Sequence, residues 1–268
     1  MNIKEIHMGL SGVIPQGAYE NLRPSYDMTI EPEDGEDKEK IFADLSTFLH
    51  QLFDQEANRA KADLIEKQYA NIRFYEKDGK KYPSVTSILD WEQEWRVTQD
   101  ELRQYAARGT IIHAMIIEYL KTGKWPDPLK MASLKEEVSI LMSGSLNMTW
   151  ENCSHKAFMD KYGSKIKFEK AEQEVYNEEN LYAGTYDLKG EYDGIRSIMD
   201  FKSGSVYDFR QLVAYAICED KIEQLVILPI GPTQNKCGYM QPKICDTIQA
   251  EFREFLKARA KFKARFGI

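Results

Sequence analysis

The sequence predicts an α/β protein with a small N-terminal module and a larger body, and three observations point there. A helical apolar period runs over residues 99–122, three strand-like runs follow one another between residues 167 and 202, and the apolar run QLVILPI comes after a further helical stretch. At 268 residues, with 43% hydrophobic and 29% charged side chains, the chain is long enough to bury a core. No apolar stretch nears the roughly 20 residues a membrane helix needs, and the opening MNIKEIHMGL has no continuous apolar signal region. A cytoplasmic protein with no membrane partner is expected.

Residues 1–70 form the module. Extended pieces are expected around Glu5 to Leu10 and Ser25 to Ile30, then a long helix after the acidic turn EPEDGEDKEK. In that helix Ile41, Leu45, Phe48, Leu49, Leu52 and Phe53 recur at helical spacing, giving an apolar side that either packs on the body or meets a protein partner. The module carries 7 basic and 14 acidic side chains, and residues 71–268 carry 29 of each, so all the excess acid lies in front. A neutral body can still hold a basic groove if its carboxylates gather elsewhere, for instance around metals.

The body opens on KKYPSVTSILDW. Thr98 with Glu101 makes a capping box, and Gly123 before Pro126 a stop, so residues 99–122 are one helix with an inward stripe of Leu102, Ala106, Gly109, His113, Ile116 and Leu120. Shorter helices are expected near 133–141 and 152–162. Strands at 167–176, 182–191 and 195–202, joined by Asn177 to Asn180 and by Asp193-Gly194, make an antiparallel meander. A helix near 207–219, the strand QLVILPI, a strand near 239–244 and a helix from Asp246 to about Arg265 complete the chain.

Chemistry concentrates in the meander. Alternation puts Tyr182, Tyr186 and Leu188 on one face and Asp187 with Lys189 on the other, while Ile198, Asp200 and Lys202 share a face of the next strand. Asp187 can thus lie beside Asp200 with Lys202 on the same side. Two close carboxylates repel unless a cation sits between them, and a nearby lysine can stabilise negative charge. Phosphodiester hydrolysis asks for this combination, with a metal to polarise the phosphoryl oxygen and activate water.

In order, RGTIIH, Glu172 ahead of Val175, YAGTYD, MDFKSG and QLVAYA together resemble the RecB-type branch of the PD-(D/E)XK nuclease superfamily, over about residues 82–218. YPSVTSIL is similar to phage and mobile-element members, and the mitochondrial genome maintenance exonuclease is a relative of the same kind. The resemblance implies a restriction-endonuclease-like core of helix, three-stranded antiparallel meander, helix and strand. It also implies a metal site of His113, Asp187, Asp200 and Glu172, with Glu174 the alternative to Glu172, and Lys202 as the catalytic lysine. Gln211 and Tyr215 match a QxxxY pair that grips DNA or holds the lysine strand. The implied activity is Mg²⁺- or Mn²⁺-dependent exonuclease cleavage of DNA that is single-stranded or has a free end, in recombination, repair or replication of a phage or mobile element. A structure-specific or flap endonuclease would use the same chemistry, and a silent DNA-binding adaptor would usually have lost the lysine or an aspartate.

Some members of the branch hold an iron–sulfur cluster through one cysteine before the histidine and three near the C-terminus. No cysteine precedes His113, and Cys153, Cys218, Cys237 and Cys245 are scattered, so no cluster is expected. Two further features bear on DNA: the stripe Arg253, Lys257, Lys261 and Arg265, and the interleaving of Trp150, Phe158, Tyr162 and Phe168 with lysines, which suits either stacked bases or a core helix and strand.

Overall fold

A computed structural model describes residues 5–15, 21–33, 35–92, 97–204, 207–232 and 234–268. The chain divides into two compact units, Met1–Asn71 and Ile72–Ile268.

In the first unit β1 (Ile6–Ser11) pairs antiparallel with β4 (Ser25–Ile30), and the short β2 (Ile14–Pro15) pairs with β3 (Asn21–Leu22). Half-buried and exposed residues alternate along β1 and β4, as a sheet with one covered face requires. Helix α1 (Lys38–Ala70) starts on Asp37, whose carboxylate accepts the Glu39 and Lys40 N–H groups; Asp34 of the acidic turn lies outside the described residues. The expected apolar face holds only in part. Leu45 and Leu49 are buried, but Phe48 is 46% exposed.

The second unit is a mixed α/β body. The hairpin of β5 (Phe74–Lys77) and β6 (Lys80–Pro83) turns at Asp78-Gly79, both at positive φ, and Ser84 caps α2 (Val85–Asp90). Helix α3 (Gln99–Thr122) has the expected capping box and ends at Gly123 with φ of 70°. After α4 (Lys135–Ser143) and α5 (His155–Tyr162) come β7 (Ile166–Asn177), β8 (Tyr182–Tyr192) and β9 (Ile195–Lys202), an antiparallel meander whose Asp193-Gly194 hairpin again uses two positive φ angles. Helix α6 (Phe209–Ala216) is shorter than its apolar pattern. Strand β10 (Gln224–Pro229) then joins β9 in parallel, β11 (Lys243–Cys245) flanks it antiparallel, and α7 (Ile248–Phe266) closes the chain.

The five strands run in the order β11-β10-β9-β8-β7, and every residue of β10 is buried. A near-continuous apolar strand is what a parallel position covered on both faces demands. Tyr182, Tyr186, Ile198, Leu212, Leu225, Phe255 and Phe262 fill the core toward α6 and α7. On the other face Ile112, Ile116, Phe158, Leu188, Met199, Phe201 and Val226 pack toward α3 and α5.

One expectation needs correction, and one open alternative is decided. The buried stripe of α3 is Gln104, Ala107, Arg108, Ile111, Ile112, Met115, Ile116 and Ile117, about one residue away from the expected one. Ala106 is exposed, and His113 lies at the stripe's margin. Of the aromatics of 150–170, Phe158 is a core side chain at 0% exposure, and Trp150, Tyr162 and Phe168 are partly buried against the same core, as the helix-and-strand alternative has it.

Candidate active site

Strands β8 and β9 pair from Tyr192↔Ile195 as far as Leu188↔Met199 and then part. Beyond that point β9 follows β10 to Lys202, and β8 follows β7 to Tyr182. Asp187 and Asp200 are next in register, at the mouth of this fork. Side chains replace the lost ladder. Asp187 Oδ2 accepts the Phe201 N–H at 2.8 Å, and His113 Nε2 lies 2.8 Å from the Phe201 carbonyl. A carbonyl only accepts, so Nε2 carries the proton, and Nδ1 faces Asp187 Oδ2 at 3.5 Å.

The pleat also reverses at this level. Tyr182 and Tyr186 serve the core toward α6, whereas Leu188 and Tyr192 serve the opposite core, so strict alternation fails between residues 186 and 188. Glu172 of β7 lies at the same height, between the pairs Ala171↔Leu188 and Gln173↔Tyr186, and has φ of 50°, although the register of β7 with β8 shifts only between Phe168 and Lys170. A left-handed non-glycine residue inside a strand is a strained arrangement, of a kind that clusters at functional sites.

Asp200, 4% exposed, lies across the fork from Asp187. Its Oδ2 pairs with Lys202 Nζ at 2.8 Å and has no other polar partner among the described residues. Lys202 Nζ also donates to Gln211 Oε1 at 2.8 Å, and Gln211 Nε2 donates to the Tyr215 hydroxyl at 3.2 Å. The Tyr215 ring rests on Gly184, where a Cβ would collide with it. That contact gives the glycine of YAGTYD its physical reason. Gly109 has none of this kind, since a Cβ there would meet only Ser203 Oγ, at an ordinary 3.6 Å.

The charges are unequal in their fates. Burial and the Asp187 charge raise the Asp200 pKa, and Lys202 only partly offsets them. Burial also pushes Asp187 upward, but His113, the Phe201 N–H and Lys202 outweigh it and hold Asp187 below its ordinary value. For His113 burial opposes protonation, yet Asp187, Asp200 and the Phe201 carbonyl prevail and raise its pKa. Lys202 is likewise raised, burial being outweighed by Asp200 and Asp187.

His113 and Asp187 both bind the Phe201 backbone, and Asp200, Lys202, Gln211 and Tyr215 follow by contact from its two chain neighbours, so the six are joined through β9. The two glutamates are not: Glu172 and Glu174 are exposed, and Glu174 takes the Tyr176 hydroxyl at 2.9 Å. Among the described residues no three His, Cys, Asp or Glu side chains gather round one point. The fit to a divalent ion rests on Asp200 Oδ2, a buried anionic oxygen paired only with Lys202 among the described residues, close enough to the Asp187 carboxylate to feel its charge. That set suits Mg²⁺, which is commonly held by one or two carboxylates with water and substrate phosphate completing its shell. One acid escaped the sequence reading: Asp90, at the end of α2, is raised by burial and feels the charges of Lys202, Asp208 and Arg210. Its only signal was membership of YPSVTSILDW.

On the remaining surfaces, Arg253, Lys257 and Lys261 are exposed along α7, with Lys257 paired to Glu254 at 2.7 Å. All four cysteines are free thiols. No helix among the described residues is long and apolar enough to cross a membrane. No family model matches the chain, and no curated protein matches it.

Proposed function

We propose that the chain is a divalent-metal-dependent deoxyribonuclease of the PD-(D/E)XK type, acting as an exonuclease on DNA that is single-stranded or has a free end. The observation that carries the reading is the fork, where Asp187 and Asp200 are next in register, Lys202 pairs with the buried Asp200 oxygen, and His113 backs Asp187.

Asp187 and Asp200 would hold the Mg²⁺ or Mn²⁺, with His113 Nδ1 the nearest ring nitrogen. When bound, the ion would polarise the phosphodiester and supply the attacking water at neutral pH. The protein's own part is placement and charge. Asp187 is fixed by the Phe201 N–H, so its carboxylate costs no reorganisation when substrate arrives. Lys202, held by Gln211 and through it by Tyr215, presents a cation where negative charge builds up on the phosphoryl oxygens. With its pKa raised, it stays protonated at neutral pH.

Single- and double-stranded DNA labelled at the 5′ or 3′ end, incubated with and without Mg²⁺ or Mn²⁺, tests the reading. Metal-dependent release of short products from an end supports it. Cleavage of closed circular single strands would move the assignment to an endonuclease, and no cleavage under any metal would remove it.

A further inference from the structure

The corner that follows Lys202 collects hydrogen-bond donors. Arg108, five residues before His113 on α3, is 7% exposed. Its Nη2 reaches the Ser203 carbonyl at 3.4 Å, its buried Nε has no hydrogen-bond partner, and no carboxylate pairs with it among the described residues. The Ser203 carbonyl stands against Gly231, where a Cβ would strike it. The Gly231 carbonyl in turn accepts the Ser154 N–H at 3.1 Å. Ser154 precedes α5 without capping it by a side-chain bond, and its Oγ, on a residue 2% exposed, has no partner. Arg108 is close enough to Cys153 that its charge offsets part of the rise that burial imposes on that thiol. The Ile230 N–H, donating to the Lys202 carbonyl at 3.0 Å, ties this corner to the lysine.

A guanidinium, a hydroxyl and the uncapped first turn of a helix are thus linked through the Ser203 and Gly231 carbonyls, and among the described residues no carboxylate takes their donors. Burying a guanidinium without a counter-charge is strongly unfavourable, and a planar fork beside a helix N-terminus is the arrangement that binds an oxyanion. The half-exposed Tyr105 ring lies against the guanidinium, its centroid 5.6 Å from Arg108 Cζ.

We infer that Arg108, Ser154 and the N-terminus of α5 form an oxyanion site for a phosphate group of the DNA strand that lies across Asp187 and Asp200. The identity of the phosphate's carrier rests on the nuclease reading; the oxyanion site itself does not.

Inorganic phosphate, titrated into the full chain against chloride at matched ionic strength, is the first probe, read by thermal unfolding and calorimetry. Wild type is expected to gain melting temperature with phosphate. Arg108→Gln should bind phosphate about tenfold more weakly or worse, the scale of a lost charge-assisted pair. Without phosphate it should melt no lower than wild type, because an uncompensated charge is gone. Arg108→Lys should keep part of the effect and Ser154→Ala lose part of it, so the site stays testable if Arg108→Gln does not fold. Equal stabilisation of wild type and Arg108→Gln, or none of wild type, overturns the site. So does an Arg108→Gln protein that melts well below wild type with no phosphate effect in either, for Arg108 would then be purely structural.

The second probe is a short single strand carrying one uncharged methylphosphonate linkage, bound in Ca²⁺. One linkage position should weaken binding to wild type and leave Arg108→Gln unaffected. If no position does so while the phosphate effect stands, the strand assignment is wrong. If the chain cleaves no DNA but phosphate binding still depends on Arg108, the nuclease reading has failed and the oxyanion site has not.

Discussion

His113 and Asp187 hold opposite ends of one residue: the histidine takes the Phe201 carbonyl and the aspartate its N–H, each at 2.8 Å. The two side chains replace a strand neighbour at the point where β8 leaves β9. They keep the fork open without orphaning a buried backbone, which would otherwise be costly. The candidate centre is thus part of how the sheet is held together, and its residues divide into those the fold needs and those it only tolerates.

Asp187 and Asp200 should therefore differ in stability while agreeing in activity. Asp187→Ala strands the buried Phe201 N–H and should cost about 1–3 kcal/mol, a lower melting temperature in metal-free protein. Asp200→Asn removes a charge that burial and Asp187 disfavour, so the metal-free variant should melt at or above wild type. Both should lose metal-dependent cleavage. Wild-type activity in either, or equal stability losses in both, would contradict the division.

Lys202→Ala should leave metal affinity intact and slow turnover by about 10²-fold or more, as the loss of one electrostatic contact to the transition state does. Gln211→Ala should slow it less, because the lysine keeps its charge and loses only its anchor. In the double variant the Gln211 effect should vanish, since an anchor has no function without the side chain it holds. Fully additive losses in single-turnover rates would show that the two act separately.

The meander was legible because it is local. Period-two alternation, two turn-formers and a capping box place β8, β9 and α3 within a residue or two of where they lie. His113's setting was not, because residues 111, 112, 115, 116 and 117 are all apolar, and a stripe that broad cannot say which side is buried most. Nor could alternation foresee the pleat reversal near Asp187, which lies where β8 and β9 part. Arg108 stood in the open in RGTIIH, but only its burial gives it meaning.

Gly184→Ala should be costly although the backbone there is ordinary, because the added methyl collides with Tyr215 and forces the helix or ring aside. About 1–3 kcal/mol is expected, the usual cost of overpacking. A shorter side chain at position 215 should recover part of it. A Gly184→Ala protein with unchanged melting temperature would mean that Tyr215 is not seated as described.

His155 should make the protein acid-sensitive. It is 1% exposed, and burial followed by the Lys156 charge holds its pKa at about 4 against an ordinary 6.5. With the folded value depressed, its neutral form supports the fold fully above about 6.5, and that support drains away as pH falls toward about 4, where the unfolded chain binds the proton more readily. His155→Phe, which keeps the edge contact with Trp125, should flatten the fall in melting temperature across that window. Identical profiles for the two proteins would remove His155 as the cause.

His113 offers the sharpest test, because its two nitrogens have different work. Nε2 is committed to the Phe201 carbonyl, so the His113 role in the fold lies there; Nδ1 faces Asp187 at 3.5 Å, and two lone pairs at that range need a proton or a cation between them. If a metal fills that place, His113→Ala should weaken metal binding and shift the preference, since a ring nitrogen favours Mn²⁺ over Mg²⁺ relative to oxygen donors alone. If only a proton does, the variant should lose stability through the freed Phe201 carbonyl and keep its metal dependence. His113→Gln gives a control, for an amide can still donate to that carbonyl without offering a ring nitrogen. A fold restored in His113→Gln with metal affinity still impaired places the ligand at Nδ1. Cleavage at the wild-type rate with an unchanged Mg²⁺ requirement in folded His113→Ala would leave the histidine a prop for the fork.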